Sequence, residues 1–218
     1  MTLTPAQIRS HVRALHRSSK ALDDRELDAL LGIRERESRL DGVELVLEHG
    51  NECIDEYDGT PYEVVREAIR RLAPKRGHIL YDLGCGYGRV VLWGALASDA
   101  EMRGIDLVPQ RLAPAQRAVR RLGLRNARLI QGNVLSTRFD DGNLFFLFDP
   151  FFRDTFRRVS RRLARIAHHH PIRIASHWQS NTFLASRRWL REIDDGGADD
   201  DPYRLRMFTS REATGSTR

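Results

Sequence analysis

Ile79-Leu80-Tyr81-Asp82-Leu83-Gly84-Cys85-Gly86-Tyr87-Gly88-Arg89-Val90-Val91 is the stretch that decides the fold. It begins as a short buried strand, passes through glycines at alternate positions and continues into an apolar helix. This order forms the nucleotide-binding junction of α/β sheets. Arg89 stands where the dinucleotide fingerprint needs a small residue, which argues against a pyrophosphate at this loop and so against NAD. Asp82, at the strand end, is placed to accept hydrogen bonds from a cationic amine.

Two further strands are predicted, and each ends in a polar residue. Residues 101–106 end in Asp106, which follows Gly84 by 22 residues. A separation of about 20 residues is typical of an acid that binds a ribose. Residues 127–131 form the next strand and lead into Gly132-Asn133-Val134.

A fourth strand is predicted from the continuous apolar run Leu144-Phe145-Phe146-Leu147-Phe148. Continuous apolarity predicts burial on both faces of a parallel sheet. The run stops at Asp149-Pro150-Phe151-Phe152, and an arginine-rich helix follows.

The segment from Asp82 to Gly88 resembles the first motif of the class I S-adenosylmethionine-dependent methyltransferases, whose cofactor carries a cationic amine. Asp149-Pro150-Phe151-Phe152 is similar to the Asp/Asn-Pro-Pro-aromatic motif of amino-group methyltransferases, with Phe151 replacing the second proline. Single-proline variants, Asn/Asp-Pro-Phe, resemble those of a group of small bacterial methyltransferases. The resemblance covers about residues 60–210. It implies an α/β fold with a doubly wound, mostly parallel, Rossmann-like seven-stranded sheet, an antiparallel C-terminal hairpin and an N-terminal helical cap.

The resemblance also implies roles for individual residues. The glycine loop and Asp82 would hold the methionine moiety of S-adenosyl-L-methionine, Asp106 the ribose, and Asn133 with Val134 the adenine. The expected cofactor-binding residues are Tyr62, Asp82, Gly84, Cys85, Gly86, Gly88, Asp106, Leu107, Asn133, Val134 and Asp149, and the expected catalytic residues are Asp149, Pro150, Phe151 and Phe152. Asp149 and the Pro150 carbonyl would orient an acceptor nitrogen, with the two phenylalanines as walls.

Three regions are predicted along the chain. Residues 1–58 form a helical cap, because apolar positions recur there at helical spacing. This cap either shapes the substrate side of the cleft or only covers the sheet. Residues 59–209 form the cofactor-binding domain, and residues 210–218 a disordered tail. Thr60, Pro61 and Glu63 predict a helix that starts with a capping box.

Composition limits the class of protein. The chain has 218 residues, 41% of them hydrophobic, which suits one α/β domain with a helical addition. No apolar stretch approaches the ~20 residues of a membrane helix, and no signal-peptide pattern begins the chain. Cys53 and Cys85 form no disulfide framework, which favours a reducing cytoplasm. The lack of a long apolar stretch predicts no membrane partner.

Basic charge points to anionic partners. The net charge is +6, and Lys20 and Lys75 are the only lysines among 36 basic residues. Arginine suits phosphates and acidic protein surfaces. Arg153, Arg157, Arg161 and Arg165 recur at helical spacing, either as a solvated helix face or as a surface that attracts an anionic macromolecule. Residues 168–170, three histidines, indicate an exposed helix end and no metal site.

The function predicted from these features is methyl transfer from S-adenosylmethionine to an acceptor nitrogen, with a protein side chain or RNA as the favoured acceptor. A small-molecule acceptor is one alternative. The other is a non-catalytic nucleic-acid-binding or regulatory module on the same fold. His177, at the end of the fifth predicted strand, is a candidate base on the acceptor side, with a packing role as its alternative.

Overall fold

The computed structural model describes residues 3–33, 59–193 and 204–211. Elements are numbered in chain order within these residues. The strands are β1 (Ile79–Leu83), β2 (Glu101–Asp106), β3 (Ala127–Gln131), β4 (Leu144–Phe148), β5 (Arg173–His177), β6 (Leu190–Glu192) and β7 (Arg206–Ser210). The helices are α1 (Pro5–Arg17), α2 (Asp24–Leu31), α3 (Tyr62–Leu72), α4 (Arg89–Ala97), α5 (Pro109–Arg121), α6 (Arg153–His169) and α7 (Ser180–Ala185).

The seven strands form one sheet in the order β3-β2-β1-β4-β5-β7-β6. Strands β1 to β5 are parallel, and β7 pairs antiparallel with both β5 and β6. The seven-stranded sheet with an antiparallel C-terminal hairpin is therefore confirmed. The chain order reverses between β1 and β4, and ligands of such sheets bind at the carboxyl ends of the strands at this switch point. The fold thus directs attention to the residues that follow β1 and β4.

The core has two layers, one on each face of the sheet. One layer lies under α1 to α5 and the other under α6 and α7. Neighbouring residues of β4 point into opposite layers, since Phe145 belongs to one and Phe146 to the other. Burial of this strand on both faces, predicted from its continuous apolar run, is confirmed.

The first N-terminal helix packs on the outside of α4. Its capping box joins Thr4 and Gln7, and Ile8 and Val12 are buried. Arg9 and Arg13 donate hydrogen bonds to the carbonyls of the last turn of α4. Helix α1 therefore covers the sheet layer. Residues 34–58, with the remaining predicted cap and Cys53, lie outside the described residues.

The predicted capping box of α3 is wrong. The helix begins at Tyr62, and Pro61 at the capping position makes no side-chain hydrogen bond to it. Asp24 of α2 accepts the Tyr62 N–H instead, at 2.9 Å, and Glu63 pairs with Arg66. A carboxylate from another helix therefore replaces the local cap, which local sequence pattern does not reveal.

The C-terminal end of the sheet extends slightly further than predicted. Ser210 is the last residue of β7, and its N–H donates to Ile172 at 3.0 Å. The strand therefore includes the first residue of the predicted tail. Within the described residues, no helix combines the length and the apolarity that crossing a bilayer requires.

Candidate cofactor and acceptor site

The glycine loop after β1 adopts a backbone that only glycine takes easily. Gly84, Gly86 and Gly88 have φ of 87°, 49° and 75°, in the left-handed region that favours glycine. Gly84 is exposed, and a Cβ added there would lie 2.3 Å from Cβ of Pro150. The loop after β1 and the motif after β4, 66 residues apart in sequence, are therefore in direct contact.

Strand β2 holds the loop in place. The N–H groups of Gly84 and Cys85 both donate to the Ile105 carbonyl, at 2.8 and 3.0 Å. Asp106 accepts the Gly86 N–H at 2.7 Å through one carboxylate oxygen and the Val108 N–H at 2.9 Å through the other. Burial raises the pKa of Asp106, and these N–H donors partly offset the effect. The acid predicted to bind a ribose thus also fixes the loop.

Asp82 is a buried carboxylate at the same place. Asp82 is 4% exposed. Burial raises its pKa well above the usual value, and the nearby Asp106 charge raises it further. Within the part of the chain that the structure describes, no side chain or N–H group donates a hydrogen bond to this carboxylate. A buried carboxylate without a partner is unfavourable, and a cation beside it removes the cost.

Cys85 is a packing residue of the loop. The thiol is buried, which raises its pKa, and the carboxylates of Asp106 and Asp82 raise it further. A Cβ on Gly104 would lie 2.5 Å from the Cys85 sulfur, so the two residues fit closely. A neutral, enclosed thiol is a poor nucleophile, which suits a position that only needs a small side chain.

The loop after β3 is held by its own side chain. The Asn133 amide oxygen accepts the Leu135 N–H at 2.8 Å, and Gly132 donates to the Asp106 carbonyl at 2.9 Å. Val134 is buried, and its carbonyl accepts a hydrogen bond from Arg162 at 2.6 Å. Leu107, directly after Asp106, is half-buried. The predicted adenine loop therefore follows the strand next to the predicted ribose acid.

Asp149 joins the end of β4 to the turn after β5. Its carboxylate accepts hydrogen bonds from the Ser180 N–H, the Ser180 hydroxyl at 2.7 Å and the Gln179 N–H at 3.0 Å. A carboxylate has about four acceptor positions, so one further donor can still bind. The residue has φ of 37°, an uncommon conformation for a side chain other than glycine.

Three aromatic rings lie at the ends of β4 and β5, and we call Phe148, His177 and Trp178 the aromatic shelf. The Phe148 ring meets the His177 ring edge-on at 5.0 Å, and Trp178 stacks on His177 at 6.3 Å. Trp178 is 40% exposed and has φ of 66°. Phe152 is 45% exposed, while Phe151 packs against Phe156. Exposed aromatic surface therefore lies next to Asp149 and Pro150 in the sequence and the sheet.

Part of the chain matches a known protein family. The family profile described as "Methyltransferase domain" matches residues 80–168, which contain the glycine loop, Asp106, Asn133 and Asp149. Residues 80–168 therefore match a methyltransferase domain, and the sheet around them has the Rossmann-like fold of class I S-adenosylmethionine-dependent methyltransferases. The cofactor of such domains is S-adenosyl-L-methionine, and the buried Asp82 carboxylate, without a donor among the described residues, fits its cationic amino end.

Individual relatives are distant. A protein-lysine N-methyltransferase of Saccharolobus islandicus is 26% identical to this chain over 94 residues. The aligned part covers 42% of this chain and 58% of that protein. An RNA methyltransferase of Salinibacter ruber, solved with S-adenosyl-L-homocysteine, has a TM-score of 0.53 at 21% identity over 73% of this chain and 97% of its own. A precorrin-8w decarboxylase of Methanobacterium thermoautotrophicum has a TM-score of 0.52 at 16% identity over 71% of this chain and 92% of its own. The two structural likenesses establish the fold alone.

Tyr62 is more completely buried than a cofactor-contacting residue is expected to be. It is fully buried, and its hydroxyl donates to Asp28 at 3.0 Å. Its ring lies 5.7 Å from Trp93 and 5.2 Å from the Arg89 guanidinium. These contacts give Tyr62 a packing role between α2 and α4, and its contact with the cofactor stays a prediction.

Sequence reasoning missed several residues of the site. Gln179 and Ser180 bind the Asp149 carboxylate from 30 and 31 residues away, and Asp28 binds the Arg89 guanidinium from α2. No local pattern pairs such residues. Trp178 carried a signal, since an aromatic residue directly after a parallel strand lies at the binding edge of the sheet.

Proposed function

We propose that this protein transfers a methyl group from S-adenosylmethionine to a side-chain amine of a protein, with lysine as the acceptor residue. The contact between Gly84 and Pro150 is the observation that carries the proposal. It brings the loop expected to bind the methyl donor against the motif expected to bind the acceptor. Transfer needs the two reactants aligned, and most of the protein's contribution is this alignment.

The cofactor supplies an electrophilic methyl group on a sulfonium centre. In this proposal the Asp82 carboxylate accepts hydrogen bonds from the cofactor's ammonium group, which neutralises a charge that burial makes costly. Asp106 accepts hydrogen bonds from the ribose hydroxyls while it holds Gly86. Asn133 and Val134 contact the adenine from the loop after β3. Each role rests on a residue at, or shortly after, the carboxyl end of one of three adjacent strands.

Asp149 and the Pro150 carbonyl accept hydrogen bonds from the acceptor nitrogen in this scheme. The nitrogen lone pair forms the new N–C bond as the C–S bond breaks, and sulfur keeps that electron pair. The amine must arrive neutral, whereas a neighbouring carboxylate favours its charged form. Asp149 therefore orients the nitrogen or takes its proton, and the hydrogen bonds from Gln179 and Ser180 fix the carboxylate for this task.

The aromatic shelf supports an amine acceptor. Aromatic faces attract ammonium groups, and Trp has the strongest such attraction. Trp178 exposes part of its ring beside Phe148 and His177. The relative from Saccharolobus islandicus is a protein-lysine N-methyltransferase by its name, which agrees with this acceptor class. The match spans 58% of that protein, so the acceptor is proposed here and not transferred from it.

Incorporation of tritium from methyl-labelled S-adenosylmethionine tests the proposal. The purified protein is incubated with a cell extract, which is then divided and treated with protease or with ribonuclease. We expect label that resists ribonuclease, disappears from the acid-insoluble fraction after proteolysis, and yields Nε-methyl-lysine on hydrolysis. Asp82→Asn, as the matched control, should incorporate little label. Label released by ribonuclease would assign the acceptor to RNA, and no incorporation into any fraction would contradict macromolecular transfer.

A further inference from the structure

Helix α6 and the loop after β3 line an open cavity. Its volume is about 510 Å³, and its lining residues are Leu135, Arg158, Arg161, Arg162 and Arg165. The four arginines occupy successive turns of one helix face. We call this cavity the arginine pocket.

Positive charge in the pocket is only partly neutralised by the protein. Helix α6 has six arginines and one acidic residue, Asp154, which pairs with Arg157 at 3.2 Å. Asp140 lies 3.5 Å from Arg162. Among the residues that the structure describes, no carboxylate lies within ion-pairing distance of Arg161 or Arg165. Like charges three and four residues apart on a helix repel, and a bound anion relieves this repulsion.

Arg162 gives the pocket a fixed wall. Its side chain is 14% exposed, and its guanidinium donates to the Val134 carbonyl and lies 4.0 Å from the Phe139 ring centroid. Leu135 adds an apolar surface beside it. The pocket therefore combines three exposed guanidinium groups with a half-buried, hydrogen-bonded one and with apolar area.

We propose that the arginine pocket binds the phosphodiester backbone of a nucleic acid. The planar guanidinium group matches phosphate oxygens with two parallel hydrogen bonds, which an ammonium group does not. From Arg158 to Arg165 the helix rises about 10 Å, enough for more than one phosphate, and Leu135 suits a sugar or base. A single carboxylate or free phosphate would contact only part of this row. The arginine pocket lies outside Asp149-Pro150-Phe151-Phe152. This proposal therefore does not depend on which acceptor the enzyme uses.

Binding of a fluorescein-labelled, single-stranded oligonucleotide tests this site. Fluorescence anisotropy with the full chain gives the dissociation constant for RNA, and for DNA of the same sequence, at several salt concentrations. The test variant is Arg158→Ala/Arg161→Ala/Arg165→Ala. The matched control, Arg25→Ala/Arg76→Ala/Arg125→Ala, removes the same charge from exposed positions on other elements.

We expect the wild type to bind, and the test variant to bind about tenfold more weakly with a flatter dependence on salt, because each lost phosphate contact lowers the slope by about 0.7 for a single strand. The control should lose much less. Comparison of RNA with DNA identifies the natural backbone. Equal losses in both variants, competition by poly-L-glutamate as effective as by RNA, or no binding at low salt would each overturn the site. Calorimetric titration with S-adenosylmethionine should give the same affinity for both variants, which separates this outcome from the proposed function.

Discussion

Two buried carboxylates near the glycine loop have opposite surroundings. Asp28 of α2 is 6% exposed and binds the Arg89 guanidinium through both oxygens, with the Tyr62 hydroxyl as a third donor at 3.0 Å. Asp82 of β1 is 4% exposed and has no such donor among the described residues. Burial alone therefore does not separate a structural acid from a functional one. The presence or absence of an internal cation does.

The contrast explains why α4 begins with an arginine. Arg89 follows Gly88 directly, and its side chain reaches Asp28 and the Thr60 carbonyl. It thereby connects α2, the start of α3 and α4 beneath the loop. Asp82, on β1, has no such partner among the described residues. Asp28 thus has a packing role, whereas ligand binding is the role predicted for Asp82.

The largest effect is expected from Asp28→Ala. Removing Asp28 takes away two charge-assisted hydrogen bonds of the buried Arg89 guanidinium and leaves Asp24, at 3.5 Å, as a more distant acidic partner. The free energy of unfolding should therefore fall by about 3 kcal/mol, the lower end of the range for breaking a buried pair. Urea denaturation followed by circular dichroism measures this change. The double variant Asp28→Leu/Arg89→Met removes both charges and should recover most of the loss. A loss below about 1 kcal/mol in the single variant would show that the pair is solvated.

Asp82→Asn should have two effects of opposite sign. The affinity for S-adenosylmethionine should fall by roughly 10- to 100-fold, because a hydrogen bond to a charged group contributes about 1.5–3 kcal/mol. Stability of the free protein should rise. The folded-state pKa of Asp82 is raised, so its contribution to stability is present at low pH and lost as pH rises through that pKa.

Calorimetric titration and urea denaturation of Asp82→Asn measure the two effects. At neutral pH we expect a gain on the order of 1 kcal/mol, because the uncharged amide avoids the cost of burying a carboxylate. Asp28→Asn is the matched control and should lose stability instead. Lower stability together with unchanged affinity for Asp82→Asn would assign Asp82 to packing, like Asp28.

Hydrogen bonds from Gln179 and Ser180 hold the Asp149 carboxylate in place. Asp149→Ala should bind S-adenosylmethionine nearly as the wild type does and transfer methyl about 100-fold more slowly, since a misplaced acceptor is costly. Ser180→Ala keeps the carboxylate but removes its hydroxyl donor, so a loss of about tenfold is expected. Initial rates of tritium incorporation give both values. Loss of cofactor binding in Asp149→Ala would move this residue from the acceptor side to the cofactor side.

The sequence predicted most of the sheet because its signals were local. Glycine spacing after β1, the acid after β2 and the apolar run of β4 each lie within one strand and the loop after it. The hydrogen bonds between Asp149 and Ser180, the Asp28–Arg89 pair and the cap that Asp24 gives α3 join residues 31 to 61 positions apart. Such pairs depend on how elements pack, which periodicity and spacing do not encode. For the same reason the particular contacts of Tyr62 with Asp28, Trp93 and Arg89 were not predicted.

The smallest expected effect is the release of less than one proton when S-adenosylmethionine binds. Because burial and Asp106 raise the pKa of Asp82 in the free protein, a cation bound beside this group should favour loss of its proton. Affinity for S-adenosylmethionine should therefore fall as pH is lowered through that raised pKa, by at most about tenfold per pH unit. Calorimetry in two buffers of different ionisation enthalpy should detect less than one proton released per binding event. Asp82→Asn should release none, whereas Asp28→Asn should behave as the wild type. An unchanged number of protons released by Asp82→Asn would mean that another acid, first of all Asp106, contacts the cation. The ligand-binding carboxylate would then be Asp106 of β2 and not Asp82 of β1.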